Sequence, residues 1–232
     1  MIGMFDSGIG GLTVLDVLKE LVPNEDYLYY ADNKNNPYGE KSDEELLEIC
    51  STVVDYLINN NCKIIVIACN TATTKCMKKL REIYKDIIFV GTVPAIKVAS
   101  DGNYKNTLVM ATPATIESER TFELVRDNKR EDQNIYLVSC AGLAHAIEVS
   151  DEDTIDKILD DIYNEYKDKN IDSIVLGCTH YPYIKDKIYS KFKCDLLDGS
   201  LGVSKEVKKQ LELNNLVTNS GSGEVTIIKS GD

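Results

Sequence analysis

The sequence predicts an α/β protein made of two similar units with mostly parallel sheets. Two observations support this prediction. First, short runs of aliphatic and β-branched residues alternate with helical patterns along the whole chain. Second, two such runs end in matching ways: Ile64–Ile67 leads to Ala68-Cys69-Asn70, and Ser173–Leu176 leads to Gly177-Cys178-Thr179. We therefore expect two pseudo-symmetric, Rossmann-like α/β/α domains that face each other across a central cleft.

The first half shows the pattern in order. A strand over residues 2–5 leads through a glycine-rich turn into a helix that stops at Pro23. A second strand, Tyr27–Ala31, ends at Asp32 and is followed by a polar loop with Pro37-Tyr38-Gly39. A helix begins at Ser42. The Cys69 strand, a helix over Thr71–Tyr84 and a strand over Ile87–Gly91 complete this half.

The second half repeats this order. Strands are predicted at Thr107–Ala111 and Asn134–Ser139, with a turn at 112–115 after the first and a loop over 140–148 after the second. A helix around 153–167 precedes the Cys178 strand. Residues 204–213 read as a helix and 225–228 as a last short strand. We place the first domain at 1–95 plus 205–232 and the second at 96–204.

Composition and charge exclude several classes of protein. The chain has 232 residues, 43% of them hydrophobic, which suits a globular protein with a sizeable core. A net charge of -12 argues against nucleic acid or an anionic membrane as the main partner. No apolar run approaches the roughly 20 residues of a membrane span. No basic segment precedes the first strand, so a secretory signal is not predicted and a cytoplasmic location is expected.

The cysteine pattern favours neither a disulfide framework nor a metal site. The seven cysteines, at 50, 62, 69, 76, 140, 178 and 194, form no CxxC pair. With only two histidines in the chain, we predict no bound metal. The turn Gly8-Ile9-Gly10-Gly11 lacks the spacing of a dinucleotide fingerprint, so nucleotide binding is disfavoured. Asp6, just before this turn, is either a helix cap or a site residue.

Cys69 and Cys178 are predicted to act as a pair. Both follow a strand, and a helix N-terminus after the strand favours the thiolate of each cysteine. One thiolate could remove a proton from a carbon atom while the opposite thiol delivers one, which inverts that carbon. Asp6 and His180 are candidates for tuning the two thiols. The other cysteines are expected to be packing residues.

Four motifs together resemble those of the glutamate racemases, within the cofactor-independent aspartate/glutamate racemase superfamily. The motifs are Phe5-Asp6-Ser7-Gly8-Ile9-Gly10-Gly11-Leu12, Pro37-Tyr38-Gly39, Ala68-Cys69-Asn70-Thr71-Ala72 and Gly177-Cys178-Thr179-His180-Tyr181-Pro182. The resemblance covers essentially the whole chain. It implies an isomerase that interconverts L- and D-glutamate without a cofactor and supplies D-glutamate for peptidoglycan, and hence for cell wall biogenesis and cell shape.

The resemblance also implies roles for individual residues. Cys69 would be the base toward D-glutamate and Cys178 the base toward L-glutamate, with Asp6 and His180 assisting them. The substrate would be held by Asp6, Ser7, Tyr38, Gly39, Asn70, Thr71, Thr179 and His180. Minor or supporting roles fall to Asp32, Glu148, Thr112 and Thr115, although turn threonines are often only caps.

Two departures from the family pattern leave alternatives open. Cys140-Ala141 stands where the family usually has Cys-Pro, and the family usually continues with a helix beyond Gly231-Asp232. The chain could therefore be a short homologue, a truncated form or a paralogue with altered activity. Racemisation of another acidic amino acid such as aspartate, or a non-catalytic role on the same fold, are the alternatives. The chain could assemble as a homodimer.

Overall fold

The computed structural model describes residues 1–218 and 220–231. Alternating strands and helices run through this part of the chain. In chain order the strands are β1 (Ile2–Asp6), β2 (Tyr27–Ala31), β3 (Ile64–Ile67), β4 (Ile88–Gly91), β5 (Asn106–Ala111), β6 (Asn134–Ser139), β7 (Ser173–Leu176), β8 (Asp195–Leu197) and β9 (Val225–Lys229). The α-helices are α1 (Leu12–Leu21), α2 (Asp43–Asn59), α3 (Asn70–Ile83), α4 (Ile96–Asp101), α5 (Pro113–Ile116), α6 (Glu119–Asn128), α7 (Leu143–Glu148), α8 (Glu152–Tyr166), α9 (Lys185–Phe192) and α10 (Ser200–Leu213).

The chain folds into two compact units. Unit 1 comprises Met1–Thr92 and the segment from Ser200 onward, and unit 2 comprises Val93–Gly199. Helix α10 packs against α1 of unit 1 along its length. The domain boundaries derived from the sequence, 1–95 plus 205–232 and 96–204, stay a prediction.

The sheet of unit 1 has the strand order β4-β3-β1-β2-β9, and all of its described pairs are parallel. Residues alternate between its two faces, as strand geometry requires. Met4 and Tyr29 pack toward α1 and α10, whereas Phe5, Leu28 and Ile67 pack toward α2 and α3. Because both faces are covered, these strands are apolar on both sides, which is why they appear in the sequence as continuous hydrophobic runs.

The sheet of unit 2 has the strand order β6-β5-β7-β8, again with parallel pairing between the described strands. Leu108 and Ile174 pack on the side of α7, α8 and α9. Val109 and Val175 pack on the other side, with residues of α4 and α6. The prediction of two α/β units with parallel sheets is confirmed.

Three local predictions were wrong, all of them about short helices. Residues 143–148, predicted as loop, form α7, because Gly142 adopts a left-handed turn (φ 78) and Leu143 and Ala146 are then buried on one side of a helical turn. The 112–115 turn begins α5, and α4 and α9 were not predicted at all. Helices of four to eight residues are too short to show a helical period in the sequence.

A fourth prediction was wrong at the second cysteine. Cys178 is followed by a short 3₁₀ helix, Tyr181–Ile184, and not directly by an α-helix. The stabilisation of a thiolate by an α-helix N-terminus therefore applies to Cys69 alone. Among the described residues, no helix is both long and apolar enough to span a membrane.

Candidate functional site

Polar side chains of unit 1 gather at the carboxyl edge of its sheet. The register pairs Asp6 with Ala31 across β1 and β2, and Phe5 with Ile67 across β1 and β3. The residues that end or follow these strands, Asp6, Asp32 and Cys69, therefore lie at the same edge. This is the edge at which open parallel sheets place their ligand sites.

Asp6 is fully buried and orders the glycine-rich turn. Its Oδ1 accepts a hydrogen bond from the Ser7 backbone N–H at 2.8 Å, and its Oδ2 accepts one from the Gly11 N–H at 2.5 Å. A Cβ on Gly11 would lie 2.7 Å from the Ala68 Cβ, so only glycine allows the start of α1 to approach β3 this closely. Asp6 therefore holds the turn that precedes α1, whose N-cap residue is Gly11 and not Asp6. Its role in the site stays a prediction.

Asp32 is a buried carboxylate that receives several donors. The Asn35 side-chain amide donates to both of its oxygens, at 3.0 and 2.9 Å. The Tyr38 hydroxyl donates to Oδ2 at 2.8 Å. Tyr38 and Gly39 lie in a short 3₁₀ helix, Tyr38–Glu40, so the predicted turn is anchored to the sheet edge through Asp32.

Cys69 occupies the N-cap position of α3, with extended backbone dihedral angles. The side chains of Cys69, Asn70 and Thr71 are all at least nine-tenths buried. Among the residues that the structure describes, none forms a hydrogen bond with the Asn70 side-chain oxygen. An N-cap thiol faces the positive end of the helix dipole, which favours a negative charge on its sulfur.

The carboxyl edge of the sheet of unit 2 presents Cys178. The Cys178 Sγ lies 3.7 Å from the His180 Nδ1, and the His180 Nε2 lies 2.8 Å from the Glu148 Oε2. Cys178 and His180 are buried, whereas one-fifth of the Glu148 side chain is exposed. Thr179, between the cysteine and the histidine, is buried as well.

This Cys178–His180–Glu148 chain can move a proton. If the carboxylate accepts the Nε2–H, the histidine Nδ1 is left as an acceptor for the thiol proton. Transfer of that proton gives a thiolate and an imidazolium, which the carboxylate of Glu148 stabilises. Because Glu148 lies on α7, the helix predicted as loop, only the structure brings it to the histidine.

Thr112 and Thr115 lie after β5, next to β7 in the same sheet. The Thr112 side chain accepts a hydrogen bond from the Thr115 backbone N–H at 3.3 Å and donates to its hydroxyl at 3.0 Å. Thr112 is thus the N-cap of α5. Their capping geometry matches the structural role that turn threonines commonly have.

Three of the remaining cysteines are buried thiols with little acidity. Burial raises the pKa of Cys62 and Cys194 to about 11, and that of Cys140 to about 12. At neutral pH these thiols stay protonated, which makes them poor bases.

Cys50 of α2 and Cys76 of α3 form a buried thiol pair. The hydrogen bond from Cys50 lowers the pKa of Cys76, while this bond and burial hold the pKa of Cys50 well above its usual value. Burial raises the pKa of the nearby Tyr38 hydroxyl well above its usual value, and a charge on Cys50 would raise it further.

One residue at the edge of unit 1 was missed by the sequence-based prediction. Ser230 directly follows β9, and its hydroxyl donates to the Asp32 Oδ1 at 2.6 Å. The available signal was its position: a polar residue immediately after a strand, like Asp6 and Asp32. Nothing in the sequence showed that β9 pairs with β2 in parallel.

No group of three or more His, Cys, Asp or Glu side chains within residues 1–218 and 220–231 is arranged to hold a metal ion.

Comparison with known proteins identifies the family. The model of the Asp/Glu/Hydantoin racemase family matches residues 2–201. The chain belongs to this racemase family. A glutamate racemase from Clostridium perfringens is 43% identical over 224 residues, covering 94% of this chain and 86% of the relative. The resemblance to glutamate racemases is therefore confirmed, and the chain is an isomerase.

Solved structures agree with this assignment. A glutamate racemase from Francisella tularensis in complex with D-glutamate has a TM-score of 0.85 and 32% identity, covering all of this chain and 88% of that one. The Escherichia coli glutamate racemase, in complex with L-glutamate and an activator, has a TM-score of 0.83 and 28% identity, covering 98% of this racemase and 88% of that chain.

Proposed function

We propose that this racemase interconverts L- and D-glutamate with two cysteine bases, Cys69 and Cys178, which act on opposite faces of the α-carbon. One observation carries the proposal: Cys69 in unit 1 and Cys178 in unit 2 are buried thiols just past the carboxyl end of a parallel strand, beside groups able to hold or accept a proton. The names of the relatives and of the structures with bound glutamate support the choice of substrate.

The proposed reaction conserves protons at every step. From L-glutamate, the Cys178 thiolate takes the α-proton and becomes a thiol, which leaves a carbanion delocalised into the α-carboxylate. The Cys69 thiol then gives its proton to the opposite face, which yields D-glutamate and a Cys69 thiolate. The reverse reaction begins from that state. No redox change occurs, and the mechanism requires no cofactor.

The thiolates of Cys178 and Cys69 are proposed to be stabilised by different groups. His180, oriented by Glu148, removes the Cys178 proton at the start of the reaction from L-glutamate. For Cys69, the N-terminus of α3 stabilises the thiolate. Asp6 is proposed to assist at the Cys69 side from its position at the end of β1.

Substrate binding is proposed to use mainly uncharged side chains and backbone N–H groups. The proposed binding residues are Asp6, Ser7, Tyr38, Gly39, Asn70, Thr71, Thr179 and His180. The buried Asn70 side-chain oxygen lacks a hydrogen-bond partner within residues 1–218 and 220–231, and it would accept a hydrogen bond from the ammonium group of glutamate. Neutral contacts suit a chain with a net charge of -12, which offers no global positive field to a substrate that carries two carboxylates.

The product suggests a biological role. We propose that D-glutamate made by this enzyme supplies peptidoglycan synthesis, and thereby cell wall biogenesis and cell shape, and that the enzyme works in the cytoplasm. We also propose a homodimer as its assembly, to be tested by sedimentation. Asp32, Thr112 and Thr115 would support the site without contacting the reacting carbon.

Label exchange tests the proposal. When L-glutamate is incubated with the reduced protein in deuterated water without any cofactor, we expect D-glutamate that carries deuterium at the α-carbon. Early in the reaction the remaining L-glutamate should stay unlabelled, because the second thiol delivers a different proton from the one removed. Proton NMR measures the deuterium content at the α-carbon, and chiral chromatography measures the amounts of L- and D-glutamate. Preference for aspartate in a parallel assay would overturn the assignment of glutamate as the substrate. No turnover of either acid would favour a non-catalytic role.

A second prediction concerns Glu148. Glu148→Gln is expected to lower the racemisation rate at least about tenfold, because the amide cannot stabilise an imidazolium at His180 as a carboxylate does. Steady-state rates with L-glutamate check this. Glu152→Gln is the control, since the Glu152 side chain forms an exposed ion pair with Lys187 of the same unit. Equal rates for the two variants would exclude Glu148 from the proton path.

A further inference from the structure

Ser230 links the last strand to the edge of the sheet in unit 1. Its backbone N–H donates to the Ala31 carbonyl at 2.9 Å, and its Oγ accepts from the Lys34 N–H at 2.9 Å. The Oγ proton is directed to the Asp32 Oδ1 at 2.6 Å. Three hydrogen bonds therefore fix both the position and the proton direction of this hydroxyl.

Asp32 connects Ser230 to Tyr38 through its carboxylate. Only 1% of Asp32 is exposed, so its carboxylate depends on protein donors. With Oδ1 held by Ser230, Oδ2 is turned to the Tyr38 hydroxyl, which donates to it at 2.8 Å. The Asp32 backbone N–H donates to the Asp6 carbonyl at 2.9 Å, which ties the same residue to β1.

Tyr38 lies beside Cys69. Both side chains belong to the same buried cluster of unit 1, and the Tyr38 ring is 1% exposed. Burial, together with the nearby charges of Cys50, Asp32 and Cys69, raises the pKa of Tyr38 well above its usual value. Its hydroxyl therefore remains a donor to Asp32 over the whole working range of pH.

We propose that Ser230 is a positioning residue for the Cys69 side of the reaction, acting through Asp32 and Tyr38 to hold the Tyr38 ring against the thiol. The inference rests on the proposed function, because it concerns the same site. It gives the C-terminal strand a role in the reaction, although Ser230 itself touches neither thiol nor substrate.

The chain offers a matched control at the opposite end of the same strand pair. The Ser222 hydroxyl donates to the Asp26 Oδ1 at 2.9 Å, before β9 and β2 begin. Ser222 and Ser230 thus both fasten the C-terminal segment to β2 through an aspartate. Only Ser230 does so at the edge that carries Cys69.

The test compares Ser230→Ala with Ser222→Ala. We expect Ser230→Ala to lower kcat/KM for glutamate about fivefold, since a lost bond to a charged acceptor frees the Tyr38 ring to move. Ser222→Ala should stay within about twofold of the parent at a similar change in Tm. Ser230→Thr, which keeps the hydroxyl, should restore most of the activity. Equal losses in both alanine variants would make Ser230 merely structural and overturn the inference.

A double variant tests the path through Tyr38. If Ser230 acts through the Asp32–Tyr38 bond, Ser230→Ala combined with Tyr38→Phe should be no slower than Tyr38→Phe alone. Independent, multiplying losses would contradict the path.

Alkylation gives a readout that does not depend on catalysis. The rate at which iodoacetamide modifies Cys69, measured by peptide mass spectrometry, should rise about threefold or more in Ser230→Ala and stay unchanged in Ser222→Ala. Modification of Cys178 provides the internal reference. If the parent protein does not racemise glutamate, the proposed function fails, whereas unchanged Cys69 alkylation in Ser230→Ala overturns the positioning role by itself.

Discussion

Replacing Cys69 or Cys178 by alanine is expected to abolish racemisation of glutamate. In the proposed mechanism each thiol handles the proton on one face of the α-carbon, so inversion should not be completed when either is missing. The rate should fall by at least about a thousandfold, within the range for loss of a general acid or base. Circular dichroism of the glutamate solution, followed over time, measures racemisation directly in each variant.

The two variants should differ in the exchange that remains. Following the roles implied by the family resemblance, the Cys69→Ala protein keeps the base for L-glutamate and the Cys178→Ala protein keeps the base for D-glutamate. A remaining thiol can remove and return a proton on its own face. We therefore expect slow deuterium exchange into L-glutamate with the first variant and into D-glutamate with the second, both without inversion. The opposite pattern would reverse the assignment of the two cysteines.

Each unit also supplies a control cysteine. Cys62 in unit 1 and Cys194 in unit 2 are buried thiols whose pKa is raised to about 11 by burial. Cys62→Ala and Cys194→Ala should retain racemisation within about twofold of the parent, since neither thiol is available as a base at neutral pH. Full activity in Cys69→Ala or Cys178→Ala would contradict the two-base mechanism.

Replacing Lys63 by methionine is expected to destabilise unit 1 strongly. The Lys63 ammonium donates to the Glu25 Oε1 at 2.8 Å, to the Leu216 carbonyl at 2.5 Å and to the Thr218 hydroxyl at 2.7 Å. The Glu25 side chain is 2% exposed, so methionine would leave a buried carboxylate without its counter-charge. We expect a loss of about 3 kcal/mol in the free energy of unfolding, measured by urea denaturation.

A second variant and a control keep this prediction decisive. Lys63→Met combined with Glu25→Gln removes both charges and should recover part of the lost stability, even if the single variant fails to fold. Lys97→Met removes an exposed ion pair with Asp101 and should change the urea midpoint little. A midpoint for Lys63→Met equal to that of Lys97→Met would show that the buried pair does not hold the C-terminal segment.

Most of the secondary structure could be predicted from the sequence, because the strands are buried on both faces. The runs around Ile64–Ile67 and Ser173–Leu176 are hydrophobic at every position, and parallel sheets covered by helices require that pattern. The short helices could not be predicted, since α7 depends on one left-handed glycine and two buried side chains. Local periodicity carries no signal at that length.

The candidate site, like the secondary structure, could be predicted only in part. The sequence by itself determined where Cys69 and Cys178 lie, because a polar residue after a buried parallel strand must stand at the carboxyl edge of the sheet. Only the tertiary structure decided which groups meet them there. Glu148 reaches His180 across 32 positions and Ser230 reaches Asp32 across 198, and such contacts depend on helix packing and strand order. Packing and strand order are properties of the whole fold, which no local stretch of residues encodes.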